Sequence, residues 1–482
     1  MHVETTTTPF AKTDADLHVI ALADGESLPF EFAQAPGAAD VKTGFKKLAV
    51  VRPEAPERLL VVGLGKAEDV DAERLRVAAA LAVKQGGRFD ATSIALALPT
   101  AGPEGDEAAA ALVDGAVLAS YRFDRFRSRD EQDPEPPRLE RILITGEGAD
   151  ATADAARVAA IASEAANRAR ELQSLPSNVA TPTFLAERAE EIAAGSERVS
   201  VEALGREQIA AAEMGGLEAV SRGTHAEPKL ICLRYEGGGA GPRVGLVGKA
   251  VTFDTGGISI KPSAKMEEMK MDMSGGAAVL EAVAAIAELE LALDLVAVVP
   301  ATENMPSGHA TKPGDIITQL NGKTVEVNNT DAEGRLILAD ALVHATREMG
   351  AERIVDLATL TGAVIVALGS TYAALVANND EWAERVAEAG TGTGELTWRL
   401  PLHEEFKDLT RGTVADLTNA SAKRKAGTIY AASFLEEFVD EVPWVHLDIA
   451  GTAWDVGREY VGSGPTGFGV RLLVDLARSI AV

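Results

Sequence analysis

Three short, glycine-flanked segments contain the acidic side chains whose spacing suggests chemistry. They are residues 248–257 (GKAVTFDTGG), 271–276 (MDMSGG) and 329–335 (NTDAEGR). An acid beside glycines after an apolar strand is poorly explained by a helix surface or by core packing. A tight turn explains any one segment, whereas three together favour a shared site. Spacing alone leaves separate turns and a common metal site equally open.

The charges of these segments suggest what a shared site would contain. Four carboxylates brought together would repel one another and raise each other's pKa. Two divalent cations would neutralise them, and oxygen-rich ligation suits zinc, manganese or magnesium. Two such ions roughly 3.5 to 4 Å apart would bridge a hydroxide nucleophile and polarise a carbonyl oxygen.

Several long motifs, taken jointly, resemble the leucyl aminopeptidase (cytosol aminopeptidase) family of two-metal exopeptidases. Residues 329–336 (NTDAEGRL) look like the family's signature octapeptide at every position, and residues 247–262 (VGKAVTFDTGGISIKP) are similar to its second signature. The resemblance runs from about residue 170 to the end of the chain. Further matches are residues 266–273 (MEEMKMDM), 356–362 (DLATLTG), 398–401 (WRLP) and 446–454 (HLDIAGTAW).

The resemblance implies five ligands for two divalent ions, zinc or manganese. Asp254 and Glu333 would bridge the ions, Lys249 and Asp272 would complete one site, and Asp331 would complete the other. A lysine ligand binds as a neutral amine, so the metal must lower its pKa. Taken alone, Lys249 is typical of a surface charge, and only the family match makes it a ligand.

Two further cations are implied to act on the substrate. Lys261 would donate to the substrate carbonyl and to the developing oxyanion, where positive charge stabilises the transition state. Arg335 would hold a bicarbonate-like anion that serves as general base, because an arginine stays protonated and cannot be the base itself. Without the resemblance, Lys261 is a loop cation and Arg335 a residue at a helix start.

The implied substrates are peptides with a free N-terminus. If one metal binds the α-amine and the other the adjacent carbonyl, only the first peptide bond of a substrate reaches the site. The enzyme would then be an exopeptidase. Small and apolar pocket positions favour Leu, Met and similar first residues. Residues 419–424 (NASAKR) replace a loop that is usually glycine-rich, which leaves the exact preference open. The implied pocket residues are Met269, Thr359, Leu360, Gly362 and Ala450.

Other function classes fit less well. The sequence has no His-Glu-x-x-His motif for a zincin protease and no Gly-x-Ser-x-Gly elbow for a serine hydrolase. Some relatives bind DNA as regulatory or architectural proteins, but a net charge of −27 without a dense basic stripe disfavours nucleic acid here. A catalytically dead scaffold is disfavoured because no ligand position departs from the family pattern.

Composition indicates a cytoplasmic protein. The single cysteine, Cys232, lies in an apolar run and predicts a buried strand residue in a reducing compartment. The N-terminus lacks the features of a secretory signal. Four acids interrupt the longest apolar stretch, near residues 280–301, so we expect no membrane span. The family resemblance implies a homo-oligomer, a hexamer.

Alternating strand and helix patterns predict an α/β protein with two domains: a smaller N-terminal α/β domain and a larger C-terminal catalytic α/β domain with a central mixed sheet flanked by helices. We expect residues 1–150 to form the first, with an oligomerisation or regulatory role, residues 151–172 a linker helix, and residues 173–482 the catalytic metallopeptidase domain.

Asn321-Gly322 within residues 315–327 predicts a β-hairpin. Residues 130–137 predict a surface loop. Predicted strands are 48–51, 58–64, 93–98, 141–145, 229–234, 243–247, 293–299, 353–357 and 444–449, and predicted helices 71–85, 106–118, 276–287, 335–349 and 430–439.

Overall fold

The computed structural model describes residues 1–128, 137–421, 423 and 425–481. Apart from Pro137, the predicted surface loop at 130–137 lies outside these residues. The chain divides into two compact units. The N-terminal unit is Met1–Asn167 with Gly457–Gly462, and the C-terminal unit is Arg168–Val456 with Ser463–Val482. Each combines a mixed β-sheet with helices, which confirms the predicted fold class.

The N-terminal unit contains a six-stranded sheet. Its strands are β1 (His2–Thr6), β2 (Leu17–Ala23), β3 (Leu48–Val51), β4 (Leu59–Gly65), β5 (Ser93–Ala97) and β6 (Arg141–Thr145), and its helices are α1 (Ala72–Gly86), α2 (Gly105–Ala119) and the first part of α3 (Ala153–Ser174). The strand order is β1-β6-β5-β2-β4-β3, with only β3 antiparallel to its neighbour. The largely parallel pairing explains why buried strands such as β4 are apolar on both faces.

The C-terminal unit is built on a nine-stranded sheet and a small three-stranded sheet. Its strands are β7 (Val199–Leu204), β8 (Lys229–Glu236), β9 (Val244–Gly248), β10 (Ala250–Asp254), β11 (Asp294–Asn304), β12 (Asp315–Thr318), β13 (Thr324–Val327), β14 (Arg353–Ala358), β15 (Ala373–Ala377), β16 (Thr397–Arg399), β17 (Leu417–Thr418) and β18 (Trp444–Asp448). The large sheet has the order β16-β15-β18-β14-β9-β11-β8-β7, with β10 paired to β11.

Helices cover this sheet. They are α4 (Pro182–Ala194), α5 (Arg206–Ala211), α6 (Gly215–Ser221), α7 (Ser274–Glu288), α8 (Gly334–Arg347), α9 (Gly362–Leu368), α10 (Asp380–Thr393), α11 (Glu404–Lys407), α12 (Gly427–Glu436) and α13 (Val470–Ile480). Helices α7 and α8 are buried along almost their whole length, because apolar residues occupy most of their positions. Within the described ranges, no helix combines the length and apolar composition needed to cross a bilayer.

Most of the predicted elements are present, with bounds shifted by a few residues. The hairpin is confirmed, since β12 and β13 pair antiparallel and Gly322 has φ +88°. Cys232 is buried in β8, as predicted. Residues 250–254 were expected within a loop, whereas they form β10, because their backbone pairs with the end of β11. No strand was predicted at β1, β2, β7, β15, β16 or β17, and no helix at α4, α5, α6, α9, α10, α11 or α13.

A buried carboxylate joins three helices of the C-terminal unit. Glu281 in the middle of α7 is fully buried and accepts hydrogen bonds from Arg168 Nε at 2.8 Å and from Arg188 Nε and Nη2 at 2.7 and 3.0 Å. Arg168 lies near the end of α3 and Arg188 on α4. A carboxylate removed from water in this way is tolerated only while its counter-charges are in place.

We predict that Glu281→Ala destabilises the C-terminal unit by about 3 kcal/mol, because two guanidinium groups lose their shared partner. All four tryptophans lie in this unit, so tryptophan fluorescence during urea unfolding reports on it directly. The control is Glu218→Ala, which removes only an exposed pair with Arg222 and should cost less than about 0.5 kcal/mol. Equal midpoints for the two variants would contradict the prediction.

Candidate metal centre

Parallel strands bring the predicted site residues to one edge of the large sheet. Strand β9 lies between β11 and β14 and runs parallel to both, so the segments that follow these strands leave at the same edge. Lys249 follows β9, Asp254 ends β10, and Thr359 follows β14. Glu333 precedes α8. The loops that are far apart in sequence therefore converge because of strand order.

Glycines allow these segments to approach closely. A Cβ on Gly334 would lie 2.7 Å from Cε and 2.8 Å from Nζ of Lys249, so a side chain there would displace the lysine. Gly256 has φ +86°, a conformation that favours glycine, and a Cβ there would lie 2.8 Å from Oδ1 of Asp331. The glycines flanking the acids thus make room for the charged groups themselves.

Lys249 lies among buried carboxylates. Its Nζ is 2.7 Å from Asp272 Oδ2 and 2.8 Å from Glu333 Oε1, and it donates a hydrogen bond to Thr359 O at 3.0 Å. Burial by itself would lower the pKa of the Lys249 ammonium, but the surrounding carboxylates, chiefly Asp272 and Glu333, raise it above its usual value. The interpretation of Lys249 as a surface charge, which its residue type alone suggests, is wrong.

Lys261 contacts the remaining two acids. Its Nζ lies 2.8 Å from Asp254 Oδ2 and 2.5 Å from Asp331 Oδ1. Burial lowers the pKa of the Lys261 ammonium, but the carboxylates around it, Asp254 first, raise it overall. Lys261 is more exposed than Lys249, with 22% of its side chain accessible against 3%. The two lysines therefore divide the four carboxylates between them.

Three carboxylates form a cluster of the size that a cation needs. Asp254, Asp272 and Glu333 each offer an oxygen within 4.8 Å of the others, and all three are buried. Burial raises the pKa of the Asp272, Asp331 and Glu333 carboxyls; the nearby Asp254 carboxylate raises all three further, and Lys249 partly offsets the effect. Only a concentration of positive charge makes this arrangement of acids favourable.

The buried oxygens of the acids fit divalent cations as ligands. Oε2 of Glu333 accepts no hydrogen bond from the described residues, and the only described partners of Asp272 Oδ2 and Asp331 Oδ1 are the ammonium groups of Lys249 and Lys261. Buried polar atoms without partners are costly and uncommon. Carboxylate oxygens beside an amine nitrogen are ligands that zinc and manganese accept.

Arg335 occupies a different environment. It is buried, its Nη1 donates to Asn419 O at 2.9 Å, and its guanidinium lies over the ring of Tyr430, 5.3 Å from the centroid. Its Nε makes no hydrogen bond with the described residues, and no carboxylate among them lies within ion-pair distance. Burial lowers the pKa of the Arg335 guanidinium. A buried cation of this kind is suited to a small anion.

The implied pocket residues differ in how directly they contact the acids of the cluster. Thr359 Oγ1 donates to Asp272 Oδ1 at 2.7 Å, so Thr359 contacts an acid of the cluster directly. Leu360 and Ala450 share one carboxylate, because the backbone N–H of each donates to Asp448 Oδ1. Met269 lies in the turn before Asp272 and accepts from its N–H at 3.3 Å. Gly362 begins α9 and is exposed, and it has no described contact with the acids.

No role was predicted for several polar residues that hold the acids or the turns around them. Asn304 is the register partner of Asp254, and its Nδ2 donates to Asp254 Oδ1 at 2.8 Å and to Thr330 O at 3.0 Å. Asp448 orients the turn at Leu360 and Thr361, and Asn419 binds the segment before Asp331. The one signal for Asn304 in the sequence is its position as a polar residue at the end of an apolar strand.

Comparisons with known proteins agree along the whole chain. The sequence profile "Cytosol aminopeptidase family, catalytic domain" matches residues 167–474, and that of the family's N-terminal domain matches residues 43–130. A probable cytosol aminopeptidase of Syntrophotalea carbinolica is 47% identical over 426 residues, covering 87% of this chain and 85% of the relative. One of Roseiflexus castenholzii is 42% identical over 488 residues and covers 99% of each.

Solved structures give the same result at the level of the fold. The bottromycin maturation enzyme BotP in complex with Mn superposes with a TM-score of 0.87 at 35% identity, covering 97% of this chain and 100% of that one. BotP on its own gives a TM-score of 0.85. The convergent acids, the two-domain match and these relatives together show that the chain belongs to the cytosol aminopeptidase family.

Proposed function

We propose that this aminopeptidase is metal-dependent and releases Leu and similar N-terminal residues from peptides. The family membership makes the protein a peptidase and implies the use of divalent metal. The observation that carries the proposal is the buried cluster of Asp254, Asp272 and Glu333, whose oxygens lie within 4.8 Å of one another. A structural role alone does not explain so many acids in so little space.

Five side chains would hold two cations. Asp254 and Glu333 would be shared, Lys249 and Asp272 would complete one position, and Asp331 the other. This assignment is supported by Glu333 Oε2, which accepts no hydrogen bond from the described residues, and by the Asp272 and Asp331 oxygens whose described partners are lysine ammonium groups. When bound, two divalent cations supply an activated water nucleophile and polarise the scissile carbonyl. The Mn complex of BotP supports manganese as one of the ions used, with zinc as the alternative.

Two cationic side chains would act on the reacting groups. Lys261 is partly exposed, and its ammonium group lies beside Asp254 and Asp331. From this position it would donate a hydrogen bond to the developing oxyanion. Arg335, buried without a carboxylate partner among the described residues, would hold a bicarbonate-like anion that takes the proton from the nucleophile. In these roles Lys261 stabilises charge and Arg335 positions the base.

Met269, Thr359, Leu360, Gly362 and Ala450 would form the pocket for the first side chain. The support is that Thr359 contacts Asp272, while Leu360 and Ala450 are tied to the same carboxylate of Asp448. The loop 419–424 contains Ala422 and Arg424, which lie outside the described residues. A cytoplasmic location follows the relatives' names, and a hexamer rests on the family resemblance alone.

Removal of metal should abolish turnover. We expect treatment with a chelator, followed by desalting, to eliminate release of p-nitroaniline from leucine p-nitroanilide, because the clustered acids cannot supply an electrophile themselves. Addition of Mn²⁺ or Zn²⁺ should restore it, whereas Na⁺ at the same ionic strength should not. Full activity after exhaustive chelation would show that the metal-dependent mechanism is wrong.

Loss of the shared carboxylate should be as severe as loss of the metal. Asp254→Asn keeps the shape of the side chain but removes its charge, and we expect at least a 1,000-fold lower kcat/KM, on the order of other catalytic-group deletions. The matched control is Asp340→Asn, which neutralises a fully buried acid bonded to the N–H groups of Gly216 and Leu217. Similar activities for the two variants would contradict the assignment.

Lys261 should affect the chemical step more than binding. We expect Lys261→Met to lower kcat by roughly 100- to 1,000-fold, the usual range for a lost oxyanion donor, with KM changed far less. Steady-state kinetics on leucine p-nitroanilide with saturating Mn²⁺ would measure both. A variant with normal kcat and a raised KM would place Lys261 in substrate binding only.

A further inference from the structure

Asn419 holds the segment that carries Asp331 through both ends of its amide. Its Oδ1 accepts from the backbone N–H groups of Asn328 at 2.9 Å and Asn329 at 3.2 Å. Its Nδ2 donates to the carbonyl of Asn329 at 2.7 Å and to that of Ala332 at 3.3 Å. The residue is fully buried, with 0% exposure. Four bonds from one neutral side chain thus fix the backbone on both sides of Asp331.

The three-stranded sheet places Asn419 beside the segment that contains Asp331. Strand β17 pairs in parallel with β13, with Val325 opposite Leu417 and Glu326 opposite Thr418. The segment 328–332 follows β13, and Asn419 directly follows β17, so both leave the sheet at the same end. The backbone N–H of Asn419 donates to Glu326 O at 3.0 Å and continues the pairing by one residue.

The same residue also reaches Arg335 by its backbone. The carbonyl of Asn419 accepts from Arg335 Nη1 at 2.9 Å. One buried residue therefore contacts the segment before Asp331, the carbonyl of Ala332 next to Glu333, and the guanidinium of Arg335. No other residue in the described part of the chain makes side-chain bonds on both sides of Asp331 and a backbone bond to Arg335.

An asparagine amide is suited to this position because it both donates and accepts without adding charge. A carboxylate at 419 would turn an oxygen towards the carbonyls of Asn329 and Ala332 and add negative charge near four acids. A smaller side chain would leave the buried N–H groups and carbonyls of the segment without partners. These requirements exclude most substitutions on chemistry alone.

We propose that Asn419 is a positioning residue of the active site, which holds the 328–332 segment so that Asp331 and Glu333 meet Asp254 and Asp272. The catalytic consequence rests on the proposed metal-dependent aminopeptidase function, whereas the effect on the segment does not. Groups that orient metal ligands typically contribute 10- to 100-fold to affinity or activity. None of the described hydrogen bonds of Asn419 goes to an acidic side chain of the cluster.

The test compares the full-length chain with Asn419→Ala and Asn419→Asp. Hydrogen–deuterium exchange over residues 326–334 should rise in Asn419→Ala at the amides of Asn328 and Asn329, which lose their acceptor. Titration of Mn²⁺ into metal-stripped protein should show about 10-fold weaker binding, and kcat/KM should fall roughly 10- to 100-fold, mainly through kcat. Asn419→Asp keeps the acceptor but not the donors, so it should retain slow exchange yet lose Mn²⁺ affinity and activity.

The matched control is Asn378→Ala. Asn378 also bonds backbone through both amide ends, accepting from Trp444 N at 2.8 Å and donating to Val442 O at 2.9 Å, in the same unit. Its loss should leave exchange at 326–334, Mn²⁺ affinity and kcat unchanged. Wild-type exchange and Mn²⁺ affinity in Asn419→Ala would overturn the proposal, as would uniformly faster exchange across β9, β11 and β14. If the unmutated protein proves inactive as an aminopeptidase but Asn419→Ala still shows faster exchange at Asn328 and Asn329, the positioning role stands and the proposed function is rejected.

Discussion

Repulsion among buried carboxylates is the constraint on which the catalytic unit depends. Four acids from three distant segments meet within reach of two lysine ammonium groups, and burial pushes the pKa of Asp272, Asp331 and Glu333 upwards. An arrangement of this kind is unfavourable unless positive charge is concentrated at its centre. The large sheet brings the acids together, because the neighbouring strands β9, β11 and β14 are parallel and the segments that follow them start at the same edge.

Apart from the two lysines, the side chains described above that bond Asp254, Asp272 and the backbone around Asp331 are neutral, in keeping with the same constraint. Asn304 donates to Asp254, Thr359 donates to Asp272, and Asn419 bonds the backbone around Asp331. Further acids here would add to the repulsion, whereas further cations would pair with the carboxylates and occupy the oxygens that a metal needs. Amides and hydroxyls fix orientation without changing the charge, and residues that hydrogen-bond metal ligands usually orient them in this way.

The sequence predicted which acids the structure brings together better than it predicted the elements around them. The acids could be identified because charge beside glycine after an apolar run is hard to explain otherwise, and the family motifs assigned each residue a role. Strand β1 was missed because His2–Thr6 contains one strongly apolar residue, and β2 because a short apolar run does not distinguish strand from helix. Asn304 and Asn419 could not be assigned a role, since their importance depends on hydrogen-bond partners 50 and about 90 residues away in the sequence.

Lys249 and Lys261 show why residue type alone does not define a role. Both contact two of the four acids at similar distances, and both have a raised ammonium pKa for the same reason. Lys249, however, is enclosed: it donates to Thr359 O, and the absent side chain of Gly334 provides the space for it. Lys261 lies on a partly exposed segment and has no backbone acceptor among its described hydrogen bonds. A fixed lysine is suited to a ligand position, whereas one open to solvent on one side is suited to meet a substrate carbonyl. The difference in enclosure therefore supports the division of roles between two otherwise equivalent cations.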